Sequence, residues 1–284
     1  MTMQEATYFM LNKLGTIYTK GEASQMTDWV MEHLTGSKKA ERMQYKNAAI
    51  TEEEEIQLYQ YTERLMLHEP VQYVLNEAWF GRLKFYVDKN VLIPRPETEE
   101  LVEWVTSNTN PLTPALKILD IGTGSGCIPI LLKLKIPTAE IWACDISIGA
   151  LDVAKKNSTA HKTGINFMQL NFLDTNSWQQ LPVFDIIVSN PPYIPETDKQ
   201  QMQPNVLEYE PATALFVPDN DPLIFYKGIA AFGKTHLTKQ GSIYMEIHES
   251  LGESTMTIFQ SEGYTTELRK DMQQKDRMIK SGLV

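Results

Sequence analysis

A glycine-rich turn between an apolar strand and an apolar helix limits the folds open to this chain. Residues 117–121 read as a buried strand, and residues 128–134 read as the start of a helix. The turn between them consists of Gly122, Thr123, Gly124, Ser125 and Gly126. Glycine lets the backbone turn tightly and lets a ligand approach where a Cβ atom would clash. A strand, such a loop, a helix and a further strand predict a nucleotide-binding half-sheet with the loop at its switch point.

Strands continue to alternate with helices beyond this turn. Further strands are predicted near 140–145, 165–170, 184–189 and 241–247, and helices near 147–157 and 222–236. A last helix at 254–262 precedes strands near 264–270 and 276–280. This alternation predicts an α/β fold with a doubly wound, Rossmann-like parallel sheet.

The chain ahead of this region has a different pattern. Residues 1–76 show helical spacing of apolar residues throughout, and Thr51 opens a capping box ahead of an acidic run. Residues 77–93 contain turn signals between short apolar runs, which predict a β-hairpin. We therefore expect a small all-α N-terminal domain at 1–76, a hairpin linker at 77–93 and the α/β domain at 94–284. Thr98 is predicted to cap the first helix of that domain.

The glycine spacing distinguishes two classes of cofactor. A dinucleotide fingerprint, GxGxxG, requires glycine at position 127, where this chain has Cys127. The observed GxGxG is the spacing found where the amino acid end and ribose of S-adenosylmethionine cross the loop. Asp145 ends the next strand and is expected to accept hydrogen bonds from both ribose hydroxyls. Asp120 either contacts the cofactor's ammonium group, directly or through water, or braces the loop.

A second motif follows the apolar strand that ends at Ser189. Asn190, Pro191, Pro192 and Tyr193 form a rigid, extended turn, because proline stops the strand and restricts the backbone. Such a turn presents a side-chain amide, backbone carbonyls and an aromatic face. It is suited to gripping a planar NH2 group.

Charge and composition exclude several other classes. The chain has 26 Lys+Arg and 36 Asp+Glu, a net charge of −10, and no evident basic face, so no direct DNA binding is expected. Cys127 and Cys144 are predicted to be reduced core residues, and the five histidines share no metal spacing, so no metal site is predicted. The start of the chain lacks the features of a signal peptide, and no apolar run is long enough to span a membrane. We expect a cytoplasmic protein with no membrane association.

Three segments together resemble the bacterial release factor glutamine methyltransferases. They are Leu92-Ile93-Pro94-Arg95-Pro96-Glu97-Thr98-Glu99, the glycine loop with its flanks from Leu119 to Ile128, and Ser189-Asn190-Pro191-Pro192-Tyr193. The segment from Lys270 to Arg277 looks like that family's closing segment, and the resemblance covers nearly the whole chain. The Asn-Pro-Pro-Tyr turn is shared with DNA adenine-N6 methyltransferases, whereas the first segment is much more restrictive.

The resemblance implies a class I S-adenosylmethionine-dependent methyltransferase that methylates the glutamine of the Gly-Gly-Gln motif in class 1 release factors. The helical domain would dock this protein substrate. The glycine loop, Asp145, Phe172 and Asn190 would bind the cofactor, with Phe172 packing on adenine. Asn171 stands where relatives usually carry an acid.

The same resemblance implies roles for the turn in catalysis. The Asn190 side-chain oxygen and the Pro191 carbonyl would each accept one N–H of the substrate amide, Pro192 would line the substrate site and Tyr193 would pack on the amide plane. Alignment for in-line methyl transfer would then carry most of the catalysis.

Several alternatives stay open from the sequence. Arg95 and Glu97 either line the cofactor cleft or pair with each other, and Glu246 and Glu249 either border the site or brace a loop. A nucleic-acid adenine-N6 methyltransferase is the first alternative function, and a non-catalytic S-adenosylmethionine-binding module is the second. A monomer is expected.

Overall fold

Short amphipathic helices form the first part of the chain. They are α1 (Met3–Leu14), α2 (Lys20–Thr35), α3 (Lys39–Gln44), α4 (Glu52–Met66) and α5 (Val71–Leu75). Buried side chains recur at helical spacing, as Ala6, Met10 and Leu14 do in α1. Helices α1, α2, α4 and α5 therefore present apolar side chains to a shared core, in which α1 packs against α2 and α4, whereas the one buried side chain of α3 is Arg42.

Local hydrogen bonds determine where these helices begin. Thr2, Thr19 and Thr51 each accept a hydrogen bond from the backbone N–H three residues later, and a glutamate at that position bonds back to the threonine N–H. The capping box predicted at Thr51 is confirmed. The acidic run after it occupies the first turn of α4, where carboxylates stabilise the positive end of the helix dipole.

Strands and helices alternate through most of the remainder of the chain. It contains β1 (Ala78–Phe80), β2 (Leu83–Phe85), α6 (Pro96–Ser107), β3 (Lys117–Ile121), α7 (Cys127–Lys135), β4 (Glu140–Asp145), α8 (Ile148–Ala160), β5 (Asn166–Gln169), β6 (Phe184–Ser189), β7 (Ile194–Pro195), α9 (Pro204–Tyr209), α10 (Ala212–Leu215), β8 (Phe216–Val217), α11 (Ile224–His236), β9 (Leu237–Glu246), α12 (Gly252–Ser261), β10 (Tyr264–Lys270) and β11 (Asp276–Leu283). Short 3₁₀ helices occupy Thr175–Gln180 and Glu196–Gln201. The computed structural model describes residues 1–284, with all side chains except those of Gln201 and Pro204.

A seven-stranded sheet organises the α/β part, with strand order β10-β11-β9-β6-β3-β4-β5. The strands from β9 to β5 run parallel, and β11 and β10 add two antiparallel pairings at one edge. The chain leaves β3 through α7 to β4 on one side and later returns to place β6 on the other. The predicted doubly wound α/β fold is confirmed, and β3 is its switch point.

Helices cover both faces of this sheet. Ile118 and Ile186 point into a core shared with α6 and α7, whereas the neighbouring Leu119 and Ile187 point into a core shared with α11 and α12. Because central parallel strands are buried on both sides, their sequences read as continuous apolar runs. Among the described residues, no helix combines the length and apolar character needed to cross a membrane.

The β1–β2 hairpin packs into the α/β core. Phe80 and Phe85 are buried in the cluster beside α7, and a side chain at Gly81 would collide with Leu131. Just beyond the hairpin, the buried Asn157 side chain of α8 accepts a hydrogen bond from the Tyr86 N–H at 2.7 Å. Its NH2 group donates to the carbonyl oxygens of Tyr86 and Ser125, each at 2.9 Å. Asn157 thus joins the hairpin to the glycine loop.

Two compact units account for the chain. The first comprises Met1–Glu77 and Gln203–Tyr209, and the second comprises Ala78–Met202 and Glu210–Val284. Helix α9 therefore groups with the helical unit, although its sequence lies within the range predicted for the methyltransferase domain. The Tyr209 hydroxyl donates a hydrogen bond to the Leu67 carbonyl at 2.7 Å. The boundaries predicted from sequence and the linker role of the hairpin remain predictions.

Replacing Asn157 with Asp should destabilise the α/β unit. The change removes both N–H donors and leaves a buried carboxylate facing two carbonyl oxygens, so the free energy of unfolding should fall by at least about 2 kcal/mol. Urea unfolding followed by circular dichroism measures the loss. Asn166→Asp, which adds the same charge at an exposed position of β5, should change stability by less than about 0.5 kcal/mol. Equal losses in the two variants would contradict the bridging role of Asn157.

Candidate active site

The glycine loop at the end of β3 has a left-handed backbone at each of its glycines. The φ angles are 74° at Gly122, 52° at Gly124 and 78° at Gly126. A Cβ atom added at Gly122 or Gly124 would meet no atom within 4 Å, whereas one at Gly126 would lie 3.0 Å from the Ala154 Cβ. The first two glycines therefore border open space, and the third allows α7 to pack closely on α8.

Asp145, at the end of β4, holds this loop in place. One carboxylate oxygen accepts the Gly124 N–H and the other accepts the Ser147 N–H, each at 2.9 Å. Burial raises the pKa of Asp145, and the backbone N–H groups around it oppose that shift. The side chain is partly exposed, so its oxygens can still accept further hydrogen bonds from a ligand.

Asp120, at the penultimate position of β3, is a buried carboxylate of a different kind. It is fully buried, and among the described residues neither of its oxygens has a hydrogen-bond partner. The buried Thr123 hydroxyl beside it also has none. Burial raises the pKa of Asp120 to about 7, Thr123 opposes this shift and the charge of Asp145 adds to it. Asp120 is therefore a desolvated carboxylate that a hydrogen-bond donor or a cation would stabilise. Asp145, in contrast, braces the loop.

The Asn-Pro-Pro-Tyr turn begins beside the glycine loop. The Ser189 hydroxyl, at the end of β6, donates a hydrogen bond to the Ile121 carbonyl at 2.8 Å. Asn190 and Gly122 directly follow these two residues. The two motifs singled out in the sequence therefore leave adjacent parallel strands at the same edge of the sheet, where α/β proteins bind ligands.

Buried polar side chains support the turn from behind. The Asn190 NH2 group donates to the Thr98 hydroxyl at 3.0 Å, and that hydroxyl donates to one carboxylate oxygen of Glu246 at 2.7 Å. The other oxygen of Glu246 accepts the Tyr193 hydroxyl at 3.2 Å. Thr98 and Glu246 are 3% and 2% exposed, so solvent does not compete for these bonds. Glu246 braces the turn, as one of its two sequence interpretations proposed.

Electrostatics around Tyr193 and Glu246 reflect this burial. Burial raises the pKa of Tyr193, and the charge of Glu246 raises it further. Burial also raises the pKa of Glu246, while hydrogen bonds from Thr98 and Tyr193 and the charge of Arg277 oppose the shift. Glu249 lies away from this group of bonds, where it forms ion pairs with Lys275 at 2.6 Å and Arg277 at 3.5 Å.

The prediction that Thr98 caps α6 is wrong. The helix begins at Pro96 with Arg95 as its N-cap, so Thr98 lies inside the first turn and its hydroxyl points to Asn190 and Glu246. Proline is favoured at the first helical position because its missing N–H costs nothing there. The signal for the true start of α6 is therefore Pro96.

Arg95 pairs with a residue that sequence reasoning missed. Its guanidinium lies 2.6 Å from the buried carboxylate of Glu210, which also accepts the Ile93 N–H at 3.3 Å. The predicted alternative in which Arg95 pairs with Glu97 is wrong. Glu210 ties the segment ahead of α6 to the stretch that follows the Asn-Pro-Pro-Tyr turn, and no local pattern identifies such a distant partner.

Phe172 follows β5 and is 5% exposed. Its ring lies near those of Trp178 and Phe232, at centroid distances of 5.7 and 5.3 Å. The neighbouring Asn171 is exposed, and its side-chain oxygen accepts the Leu173 N–H. The predicted packing of Phe172 on adenine remains a prediction. Cys127 and Cys144 are buried free thiols, as predicted, and no cluster of three or more potential metal ligands occurs among the described side chains.

Comparison with known proteins identifies the family. The family model "Methyltransferase small domain" matches residues 98–209, and "PrmC N-terminal domain" matches residues 12–75. A release factor glutamine methyltransferase from Flavobacterium psychrophilum is 47% identical over 231 residues, which cover 79% of this chain and 80% of that protein. The chain belongs to the release factor glutamine methyltransferase family. The predicted resemblance and the assignment as a methyltransferase are confirmed.

Another member of the release factor glutamine methyltransferase family matches over nearly its full length. The protein from Bacteroides thetaiotaomicron is 37% identical over 278 residues, covering 98% of this chain and 99% of its own. The crystal structure of a methyltransferase from Pyrococcus furiosus shares the fold at 16% identity, with a TM-score of 0.52 over 79% of this chain and 99% of that chain. The family assignment therefore rests on the two named relatives, because the structural similarity shows only the fold.

Replacing Asp120 with Asn should stabilise the ligand-free protein most at high pH. The folded-state pKa of about 7 lies above the unfolded value of about 3.9, so the folded protein binds more protons between these pH values. The contribution of Asp120 to the stability of the folded protein is therefore fully present below about pH 4 and is lost as the pH rises to about 7.

Urea unfolding at pH 5 and pH 8 measures this difference. The gain of Asp120→Asn over wild type should be larger at pH 8, because each unit of pKa shift corresponds to about 1.4 kcal/mol. Asp152→Asn removes the same charge from an exposed site on α8 and serves as the control. A gain that is the same at both pH values would rule out a raised pKa at Asp120.

Proposed function

We propose that this protein transfers a methyl group from S-adenosylmethionine to the side-chain amide nitrogen, N5, of the glutamine in the Gly-Gly-Gln motif of class 1 release factors. Membership in the release factor glutamine methyltransferase family supports the substrate class. The observation that carries the chemistry is the hydrogen bond from Ser189 to Ile121. It fixes a turn suited to a planar NH2 group next to a loop suited to a nucleoside.

The residues of the loop fit S-adenosylmethionine. The open space at Gly122 and Gly124 would admit the amino acid end of the cofactor, and Asp120 would pair with its ammonium group. Asp145 would hold the ribose, and Phe172 would pack on the adenine. Asn190 would contact the cofactor near its sulfur. Bound there, the cofactor supplies an electrophilic methyl group on its sulfonium.

Asn190 and Pro191 would orient the substrate amide. Among the described residues, no hydrogen bond uses the Asn190 side-chain oxygen or the Pro191 carbonyl. Each can accept one N–H of the glutamine side chain, which fixes the plane of the amide and makes its nitrogen more electron-rich. Orientation of this kind supplies up to about 7–11 kcal/mol of the lowering of a reaction barrier.

Tyr193 and Pro192 would complete the substrate site. The Tyr193 ring is held through its hydroxyl by Glu246 and would pack on the amide plane. Such a contact favours developing positive charge by about 0.5–2 kcal/mol. The methylated nitrogen is a strong acid, and its proton can leave to solvent without a dedicated base. The helical unit is proposed to dock the release factor.

The substrate assignment predicts where a labelled methyl group goes. With tritium-labelled cofactor, the purified protein should label a class 1 release factor and should leave a Gly-Gly-Gln→Gly-Gly-Ala variant of it unlabelled. A duplex oligonucleotide that contains adenine is included as a competing acceptor. Equal labelling of the two release factors, or labelling of the oligonucleotide alone, would refute the assignment.

Asn190→Ala should reduce kcat by at least about 1,000-fold, because it removes an acceptor that aligns the reacting nitrogen. Cofactor binding, measured by calorimetry, should weaken by no more than about tenfold, since the loop, Asp120 and Asp145 are unchanged. Asn166→Ala, at an exposed site on β5, is the control and should retain wild-type turnover. A turnover of Asn190→Ala close to wild type would exclude the proposed role.

A further inference from the structure

Three elements meet at the buried carboxylate of Glu246. Thr98 comes from the first turn of α6, Tyr193 from the turn after β6, and Glu246 itself ends β9. Asn190 joins the group through the Thr98 hydroxyl. The side chains of Thr98 and Glu246 are almost completely buried, so neither lies at a surface that a substrate could touch.

The hydrogen bonds have a defined direction. An ionised carboxylate only accepts hydrogen bonds, and a hydroxyl has one proton to donate. Because Thr98 donates that proton to Glu246, its oxygen can only accept from Asn190. The Asn190 side chain must therefore turn its NH2 group towards Thr98 and its oxygen away from it.

An asparagine without such a partner has two orientations of similar shape, which exchange the oxygen and the NH2 group. The reversed orientation would present an N–H to the N–H of the substrate amide, and it would repel that amide. Which way Asn190 faces therefore decides whether the site can grip its acceptor.

We propose that Thr98 and Glu246 are positioning residues that hold Asn190 with its side-chain oxygen towards the substrate amide. This role rests on the proposed function, because it concerns the group that grips glutamine. Glu246 sets the direction of the Thr98 hydroxyl, and Thr98 passes that direction to Asn190. This relay of Thr98 and Glu246 contributes no atom to the reaction.

Glu246 also orients Tyr193. Its hydroxyl donates to the carboxylate oxygen that Thr98 does not use. One buried carboxylate thus orients both the amide and the aromatic ring of the Asn-Pro-Pro-Tyr turn. Burial raises the pKa of Glu246, whereas the hydrogen bonds from Thr98 and Tyr193 and the charge of Arg277 oppose that shift and favour the ionised form, which the direction of both hydrogen bonds requires.

Thr98→Val is the test, because valine keeps the shape of threonine and lacks its hydroxyl. The kcat on release factor should fall about 10- to 100-fold, as for loss of one buried polar contact, with KM changed by less than about threefold. Thr98→Ser keeps the hydroxyl and should restore most of the lost activity. Thr255→Val removes a buried hydroxyl on α12 that has no partner among the described residues, and it should leave kcat unchanged.

A double variant tests whether the two residues act through one another. Glu246→Gln should lower kcat to a similar extent, because its NH2 group can reverse the direction of the Thr98 hydroxyl. Thr98→Val combined with Glu246→Gln should then lose no more than the worse single variant. Losses that multiply, or a loss confined to KM or to melting temperature, would overturn the relay.

A measurement on the cofactor-free protein separates this proposal from the proposed function. With ¹⁵N-labelled asparagine, the Asn190 NH2 signals can be assigned by their disappearance in Asn190→Ala. They should exchange with solvent at least about tenfold faster in Thr98→Val than in wild type, because the hydrogen bond that protects them is lost. Unchanged exchange would refute the relay whatever the enzyme methylates. If wild type failed to label the release factor while exchange changed as expected, only the substrate assignment would fail.

Discussion

The hydrogen-bonded edge shared by β3 and β6 is the constraint on which the rest of the site depends. Parallel strands place their carboxyl ends side by side, so the glycine loop and the Asn-Pro-Pro-Tyr turn emerge together although they are far apart in sequence. The Ser189–Ile121 hydrogen bond fixes their relative height along the strands. A shift of register by one residue would turn both motifs away from each other.

Two buried carboxylates at this edge differ in how their desolvation is offset. Glu246 receives hydroxyl donors on both oxygens, and in return it orients the side chains that donate them. Asp120 has no such donor among the described residues and stays a high-energy group in the ligand-free protein. The first carboxylate organises the protein's own side chains, and the second is poised for a cation that arrives from outside.

Local signals explain most of what the sequence predicted. The buried strands read as apolar runs, and the Thr51 capping box lies within four residues. The glycines of the loop are themselves the signal for its left-handed backbone. The missed contacts join distant positions: Thr98 and Glu246 are 148 residues apart, and Arg95 and Glu210 are 115 residues apart. The first contact depends on how α6 lies against β9, and the second on where the chain passes after α9; no local pattern encodes either. For the same reason, local pattern alone predicts a helix cap at Thr98.

The grouping of α9 with the helical unit has a consequence for synthesis of the chain. Helices α1 to α5 leave the ribosome early, but α9 follows only after β6 has been made. The first unit therefore gains its last helix when most of the parallel sheet already exists. Until then the Leu67 carbonyl lacks the Tyr209 hydroxyl. Neither unit can therefore be complete before residue 209 has emerged.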